Sequence, residues 1–163
     1  MEHTDHARWC IYKRKVGAPF SMKFQKLNSK AITPTKGSKY SAGLDLYACI
    51  DNEVTINPGE TVKIGTGIAL ELPENTFGAI FARSGLATKK GLAPANKVGV
   101  CDEDYRGEYI VPLHNHSSVP VTVKPGDRIA QLVIMPYIPV ELDEVKSLSD
   151  TERGSGGFGS SGR

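Results

Sequence analysis

The chain has 163 residues, of which 39% are hydrophobic, and its 20 basic and 18 acidic side chains give a formal net charge of +2. This length suits one domain with a sizeable core, and the balanced charge gives no sign of a protein that binds nucleic acid through bulk positive charge. No apolar run approaches the roughly 20 residues that span a bilayer. We therefore expect neither a nucleic-acid nor a membrane partner.

The three cysteines indicate the cellular compartment. Cys10, Cys49 and Cys101 are odd in number, widely spaced and without a CxxC pair. This pattern disfavours both a disulfide framework and a zinc site, and it fits a reducing compartment. The polar N-terminus lacks the apolar segment of a signal peptide, so we predict a cytoplasmic protein.

The first 21 residues differ from the rest of the chain. They contain the single Trp and a KRK run at 13–15, and they show no periodicity. We expect a weakly ordered N-terminal extension over 1–21. The first strand pattern covers 22–27 and opens a domain that we expect to run from 22 to 150.

Short alternating or β-branched segments follow, separated by Gly and Pro. We predict strands at 44–48, 53–56, 61–72, 77–82, 98–102, 109–114, 119–123 and 128–135. Ser84–Lys90 predicts one or two helical turns, and no longer segment keeps a helical period. Many short strands at this spacing indicate an all-β sandwich, barrel or jelly roll.

The stretch 98–109, VGVCDEDYRGEY, is the most informative segment. A β-branched alternation runs into three carboxylates, a Tyr-Arg-Gly turn follows, and then a second apolar run begins. The pattern predicts a β-hairpin with acid, aromatic ring and base at its tip. Such a tip suits a pocket that holds a polar ligand and activates a water.

Three shorter segments place polar residues where strands are apolar or end. Asp45 lies in an apolar strand, which is costly unless the carboxylate is paired or faces a ligand. Arg83 begins an Arg-Ser-Gly end of a strand that could hold phosphate, and Gln131 lies in another apolar strand. Each is more often structural by itself, and we interpret Asp127 and Arg128, after Pro-Gly, as turn chemistry.

The C-terminal residues 154–162 read GSGGFGSSG, with an arginine on each side. Composition predicts a flexible Gly-rich arm over 151–163. Phe158 is the one aromatic ring in this arm. It could close over a flat ligand while Gly N–H groups, Ser hydroxyls and Arg153 surround an anion.

Five of these segments, in order, resemble the five motifs of the trimeric dUTPases. They are SAGLDLYA (41–48), ARSGLA (82–87), NKVGVCDEDYRG (96–107), GDRIAQL (126–132) and RGSGGFGSSG (153–162). The resemblance implies a β-clip-type jelly roll and a homotrimer in which the arm of one subunit closes over a pocket made by the others. It also implies hydrolysis of dUTP to dUMP and diphosphate, with Mg²⁺, in pyrimidine deoxynucleotide metabolism.

The resemblance also implies roles for single residues. Asp102 would orient and deprotonate the water that attacks the α-phosphorus, and Tyr105 would exclude a ribose 2′-OH. The uracil would be recognised by backbone groups, with help from one amide side chain, at Gly99, Val100, Cys101, Ile110 and Asn96.

The remaining roles concern the triphosphate. Arg83, Ser84 and Gly85 would hold phosphates, while Asp45 and Gln131 would bind waters of Mg²⁺, with Gln131 also beside the substrate. In the arm, Phe158 would stack on uracil, and the phosphates would be contacted by Arg153, Gly159, Ser160 and Ser161.

Two other functions stay open at this point: a dCTP deaminase on the same fold, and a nucleotide-responsive regulatory protein without catalysis. Cys101 stands where an aliphatic residue is expected, and we predict that it faces the core as a small hydrophobe. We expect Glu103, Asp104 and Arg106 to shape the turn, with Asp104 capping it or bonding Arg106. His114 and His116 could share a strand face as metal ligands, but no third ligand is suggested nearby.

Overall fold

The computed structural model describes residues 21–157. This part of the chain contains twelve strands and one helix. The first six strands are β1 Lys23–Lys26, β2 Thr35–Lys36, β3 Leu44–Tyr47, β4 Val54–Ile56, β5 Thr61–Gly65 and β6 Ile68–Glu71. After them come β7 Thr76–Phe81, α1 Ser84–Lys90, β8 Leu92–Pro94, β9 Gly99–Cys101, β10 Ile110–Asn115, β11 Val121–Val123 and β12 Arg128–Pro136.

The strands form four sheets, and every pairing is antiparallel. The largest sheet has the order β2-β3-β12-β7-β9, and a second has the order β5-β10-β8. Two further pairs, β1-β6 and β4-β11, complete the described fold. Because most neighbours are distant in sequence, the sheets place segments from the whole chain side by side. The all-β prediction is confirmed.

The hydrophobic core takes side chains from all four sheets. Its fully buried members include Leu46, Ile56, Ile64, Ile68, Val111, Leu113, Val123 and Leu132. Burying one such side chain contributes about 1.5–3 kcal/mol. This shared core fixes the relative positions of β3, β7, β9 and β12, the strands that carry the candidate site.

The prediction of one long strand at 61–72 is wrong. The structure divides it at Thr66-Gly67 into β5 and β6, which belong to different sheets. Gly67 has φ +65°, and a Cβ there would lie 2.8 Å from the Cβ of Ala31. The Thr66 hydroxyl donates to the Tyr109 carbonyl at 2.6 Å, which fixes the bend. The glycine thus marks the point where the chain changes sheets.

The prediction of a hairpin over 98–109 is also wrong. β9 pairs with β7, whereas β10 pairs with β5 and β8. The connection therefore crosses from one sheet to another. Tyr109 ends this crossing: its side chain is 1% exposed, and its N–H donates to the Ile68 carbonyl at 2.8 Å. The buried Tyr109 thus fixes the end of the connection between β9 and β10, which joins two sheets and is not the tip of a hairpin.

Other elements follow the predictions closely. The helix is found at Ser84–Lys90, and its C-terminus is closed by Gly91 in the left-handed region at φ 69°. Most predicted strands agree with observed ones, but the short strands β2 and β8 were missed. Residues 21–157 include no helix with the length and apolar character to cross a bilayer.

Candidate active site

Seven of the seventeen predicted site residues line two surface depressions. The first, which we call the Arg83 cavity, has a volume of about 600 Å³ and is lined by Asp45, Arg83, Ser84, Gly85, Arg128 and Gln131 among others. The second, the Asp102 cleft, has a volume of about 570 Å³ and is lined by Phe77, Val100, Asp102, Glu103, Asp104 and Tyr137. The predicted residues thus fall into two groups within one chain.

The Arg83 cavity is organised around a buried carboxylate. Asp45 on β3 is 9% exposed. Its Oδ1 accepts a hydrogen bond from Arg83 Nε at 2.7 Å, and its Oδ2 accepts one from Arg128 Nη1 at 3.2 Å. A buried carboxylate is stable only when it is paired in this way. Two guanidinium groups on one carboxylate leave the trio with a net positive charge.

Arg83 is oriented with its terminal nitrogens free. It follows β7 in an extended conformation and precedes α1. Its Nε is held by Asp45, and its Nη1 and Nη2 make no hydrogen bond within residues 21–157. The backbone N–H groups of Ser84 and Gly85, in the first turn of α1, have no helical partner. A guanidinium fork beside free N–H groups can bind an anionic oxygen ligand.

Gln131 on β12 is fixed in orientation by the backbone. Its Nε2 donates to the Ala82 carbonyl at 2.9 Å, so its Oε1 is the available acceptor. This oxygen lies against Gly43, where a Cβ would approach it to 2.8 Å. The glycine of the first motif therefore provides the space that Gln131 occupies at the cavity wall.

Arg128 was missed as a site residue. The turn interpretation is confirmed for Asp127, whose Oδ2 accepts a hydrogen bond from the Lys124 N–H at 2.9 Å. Arg128 instead lines the Arg83 cavity. A regular strand would place its side chain on the same face as Ala130 and Leu132, which are both buried, so the alternation gave no signal for a role in the site.

Asp102 is exposed and follows β9 directly. Its carbonyl accepts a hydrogen bond from the Tyr105 N–H at 3.1 Å, which closes the turn. Its carboxylate has no hydrogen bond or ion pair with any residue in 21–157. The carboxylate oxygens are therefore free to accept hydrogen bonds from a ligand or a water.

Glu103 and Arg106 shape this turn, as predicted. Glu103 Oε2 accepts hydrogen bonds from the Asn75 N–H at 2.7 Å and from the Tyr137 hydroxyl at 3.0 Å. The hydrogen bond to Glu103 raises the pKa of Tyr137. Arg106 Nη1 donates to the Glu103 carbonyl at 2.6 Å. The predicted Asp104–Arg106 bond does not occur in the described part of the chain.

Tyr105 presents a fixed aromatic surface next to Asp102. Its ring stacks on that of Tyr109, with centroids 6.0 Å apart, and its hydroxyl donates to the Glu108 carbonyl at 3.0 Å. Tyr105 remains 43% exposed. The exposed part of the ring can contact a sugar without any rearrangement of the turn.

β9 lies at the edge of the five-stranded sheet. The backbone groups of Gly99–Cys101 that do not bond to β7 therefore remain available to a ligand. Asn96 lies beside this edge, with its Nδ2 3.3 Å from the position of a Cβ on Gly99. Cys101 packs against the core, as predicted, and burial raises the pKa of its thiol. The site residues Val100 and Ile110 are both exposed.

A family model described as dUTPase matches residues 29–162. The chain belongs to the dUTPase family. A deoxyuridine 5′-triphosphate nucleotidohydrolase of Desulfitobacterium hafniense is 54% identical over 130 residues, covering 79% of this chain and 86% of that protein. One of Syntrophotalea carbinolica is 45% identical over 142 residues, covering 87% and 97%.

Solved dUTPase structures agree with this fold. The dUTPase of Staphylococcus bacteriophage 80alpha, with dUPNHPP, has a TM-score of 0.75 at 29% identity and covers 88% of this chain and 99% of that chain. A dUTPase of phage phi11 of S. aureus, which coordinates a structural Mg(II) ion, has a TM-score of 0.73 at 24% identity over 80% of this chain and 100% of that chain. The predicted jelly roll is confirmed.

The two groups of dUTPase motif residues are well separated within the chain. The pairing of Gly78 with Cys101 places Phe77 opposite Asp102. Arg83 lies six residues further along an extended segment, which corresponds to about 20 Å between Cα positions. Within one chain, the site residues of the first four motifs thus form two groups at opposite ends of β7, which we call the two half-sites.

The fifth dUTPase motif lies only partly in the described chain. Arg153 is exposed, and its Nε donates to the Gly156 carbonyl at 2.9 Å in a local turn. Neither depression includes it. Phe158, Gly159, Ser160 and Ser161 lie outside the described residues, so their predicted contacts stay predictions.

The two histidines have a structural explanation. The rings of His114 and His116 are 4.4 Å apart, and His114 Nδ1 is hydrogen-bonded to the Thr61 hydroxyl at 2.8 Å. Residues 21–157 contain no group of three or more His, Cys, Asp or Glu side chains that could hold a metal ion directly. The pair therefore contributes no metal site among these residues.

Proposed function

We propose that the chain is a dUTP diphosphatase, which hydrolyses dUTP to dUMP and diphosphate by attack of water on the α-phosphorus. Family membership and the relatives named deoxyuridine 5′-triphosphate nucleotidohydrolase support this proposal. The observation that carries it is the unpaired carboxylate of Asp102, which the turn holds beside Tyr105. A free carboxylate next to an aromatic surface and an open strand edge suits a water-activating nucleotide site.

Asp102 acts as the general base in this proposal. It accepts a proton from the attacking water and aligns the water with the α-phosphorus. Because a carboxylate is a modest base, most of the rate enhancement comes from positioning and from stabilising charge on the phosphates. The hydrogen bonds of Glu103 and Arg106 hold the turn that places Asp102.

Phosphate binding is assigned to the Arg83 cavity. The free nitrogens of Arg83 and the N–H groups of Ser84 and Gly85 donate to phosphate oxygens. The C-terminal arm covers the bound nucleotide: Arg153 contacts the γ-phosphate and Phe158 stacks on the base. Hydrogen bonds to the β- and γ-phosphates come from Gly159, Ser160 and Ser161.

Base selection is assigned to the open edge of β9 and to Ile110, which begins β10. Backbone donors and acceptors of Gly99, Val100 and Cys101 pair with uracil, and Asn96 assists. Cytosine would leave backbone groups unpaired, which costs about 1–3 kcal/mol for each buried group. The ring of Tyr105 blocks the space that a ribose 2′-OH requires.

Mg²⁺ is proposed to bind together with the triphosphate, whose charge it partly neutralises. Mg²⁺ usually keeps several of its waters, so it does not need a cluster of protein ligands. Gln131 Oε1 is free to accept a hydrogen bond from such a water. Each oxygen of Asp45 accepts one guanidinium hydrogen bond and retains a second lone pair. Both residues therefore fit a role in holding waters of the ion.

The active form is proposed to be a homotrimer with shared sites. The separation of about 20 Å between the two half-sites of one chain supports this, because catalysis requires reacting groups within about 3–3.5 Å. One triphosphate cannot reach both Asp102 and Arg83 of the same chain. A second subunit can supply the missing half.

A cytoplasmic location is part of the same proposal. Cys49 and Cys101 are free thiols, as expected in a reducing compartment. The proposed N-terminal extension (1–21), domain (22–150) and arm (151–163) likewise remain sequence-based assignments.

The test is release of diphosphate from dUTP, compared with dCTP, dTTP and UTP, with Mg²⁺ and with excess chelator. We expect selective, Mg²⁺-dependent turnover of dUTP. Asp102→Asn should reduce kcat by roughly 10²–10⁴-fold, because the base is lost and the shape is kept. Asp143→Asn, which removes the same charge at an exposed position outside both depressions, is the control and should retain activity.

Two results would contradict this function. Ammonia release from dCTP would identify a deaminase on the same fold. Tight binding of dUTP without diphosphate release would identify a nucleotide-responsive regulatory protein.

A further inference from the structure

β12 has an irregularity next to the Arg83 cavity. Arg128 pairs with Tyr47, Ala130 with Leu46 and Gln131 with Asp45, so the register with β3 shifts between Arg128 and Ala130. The shift inserts one extra residue into β12, as in a β-bulge. Ile129, the extra residue, is buried and has no register partner on β3.

The bulge changes which side chains share a face. Arg128 and Gln131 are three positions apart, so a regular strand would direct them to opposite faces. With the extra residue, both line the Arg83 cavity. The guanidinium of Arg128 thereby reaches the second oxygen of Asp45, at 3.2 Å.

This contact changes the electrostatics of the cavity. Asp45 anchors Arg83 through Nε, but its negative charge by itself would cancel the charge of Arg83 and leave the pair without net attraction for a polyphosphate. Arg128 compensates that charge. Its side chain is 50% exposed and that of Asp45 is 12% exposed, so the compensation is made at the mouth of the cavity and not deep in the core.

We propose that Arg128 is a positioning residue for triphosphate binding, which acts through Asp45 to hold Arg83 in its phosphate-binding orientation. Asp45 fixes the Arg83 fork, and Arg128 makes this anchor compatible with an anionic ligand. The proposal rests on the proposed function, since it assigns a role within the same phosphate site. It adds a residue that the strand alternation had hidden.

Binding of the non-hydrolysable analogue dUPNHPP tests this role, because binding does not depend on turnover. Isothermal titration should compare the native chain with Arg128→Gln, Arg83→Gln and the double variant. We expect Arg128→Gln to weaken binding by about tenfold, in the range of a charged hydrogen bond. In the Arg83→Gln background the same change should cost clearly less, because the positioning of Arg83 is no longer at stake and only the charge compensation at Asp45 is lost.

Arg128→Lys and Lys124→Gln are the controls. Lys keeps the charge beside Asp45, so Arg128→Lys should restore most of the affinity. Lys124→Gln removes one positive charge from an exposed ion pair with Glu53 and should leave the affinity unchanged. The melting temperature of every variant checks that it is folded.

Additive effects of Arg83→Gln and Arg128→Gln would overturn the proposal, because they would show that Arg128 acts independently of Arg83. Equal losses in Arg128→Gln and Arg128→Lys would also overturn it and indicate a packing role. If the native chain itself fails to bind dUPNHPP or to hydrolyse dUTP, the proposed function fails, which is a separate result.

Discussion

The Arg83 cavity and the Asp102 cleft use charge in opposite ways. In the cavity, each charged side chain at the centre is paired: Asp45 holds Arg83 and Arg128 within hydrogen-bond distance. In the cleft, the carboxylate of Asp102 is unpaired within the described residues. The neighbouring carboxylate of Glu103 instead accepts the hydrogen bonds that hold the turn. An anion-binding surface requires fixed positive charge, whereas a general base requires free lone pairs. Under the proposed function, each half-site is therefore arranged for its own part of the reaction.

The largest effect on activity is expected when the two half-sites are inactivated on different chains. Asp102→Asn and Arg83→Gln should each abolish most activity. When the two variants are co-expressed with different tags and purified through both, we expect about one third of native activity, because one of the three shared sites in each mixed trimer has both residues intact. Diphosphate release from dUTP measures this recovery.

The control is a mixed preparation of two differently tagged Asp102→Asn chains, which should remain inactive. Absence of recovery in the Asp102→Asn and Arg83→Gln mixture would place both residues of one site on the same chain. The two half-sites would then have to approach each other by a large rearrangement of β7.

The second prediction concerns Glu103, whose hydrogen bonds stabilise the turn that carries Asp102. Glu103→Ala removes the acceptor for both Asn75 and Tyr137, so the turn should loosen. We expect kcat to fall by about tenfold or more, since small displacements of a catalytic group are costly. The melting temperature should fall by a few degrees. Steady-state kinetics and thermal unfolding measure the two effects separately.

Tyr137→Phe is the matched control for that variant. It removes only the hydroxyl and keeps the bond from the Asn75 N–H to Glu103, so both effects should be smaller. A Glu103→Ala protein with reduced stability but native kcat would show that the backbone alone positions Asp102.

The sequence predicted which residues line the two depressions better than how the strands that carry them are paired. The strand predicted at 98–102 agrees with β9, but the predicted hairpin is absent from the described residues, because alternation indicates strands but not their partners. β9 and β10 are adjacent in the chain and bond to different sheets. Pairing depends on the common core, to which distant segments contribute, and no local pattern contains that information.

The single long strand predicted at 61–72 failed for a related reason. The apolar pattern resumes after Gly65-Thr66-Gly67, and the positive φ of Gly67, which the pattern does not reveal, changes the strand direction. The position of Arg128 in the site was missed because the sequence pattern did not reveal the direction of its side chain. Its role depends on one extra residue in β12, and a bulge leaves the composition of a strand unchanged. Residue type was predictable at these positions, but side-chain direction was not.

The smallest predicted effect concerns the residue next to Asp102. Cys101 alternates with Asp102 and faces the core, where burial, and then the negative charge of Asp102, raise the pKa of its thiol, while the hydroxyl of Tyr109 acts in the opposite direction. A raised pKa lowers the thiolate fraction at neutral pH, and the thiolate is the reactive form. Alkylation by iodoacetamide at pH 7.5 should therefore be slower than for an exposed thiol.

Peptide mass spectrometry of Cys101, in the native protein and in urea, measures this difference. The rate should rise in urea, where the thiol loses its burial, and it should also rise with pH toward the raised pKa as the thiolate forms. Rapid modification of the folded protein at pH 7.5 would contradict the inward orientation of Cys101. It would also mean that the strand presents a second reactive group beside Asp102, so the contrast between the open carboxylate and the closed thiol would be lost.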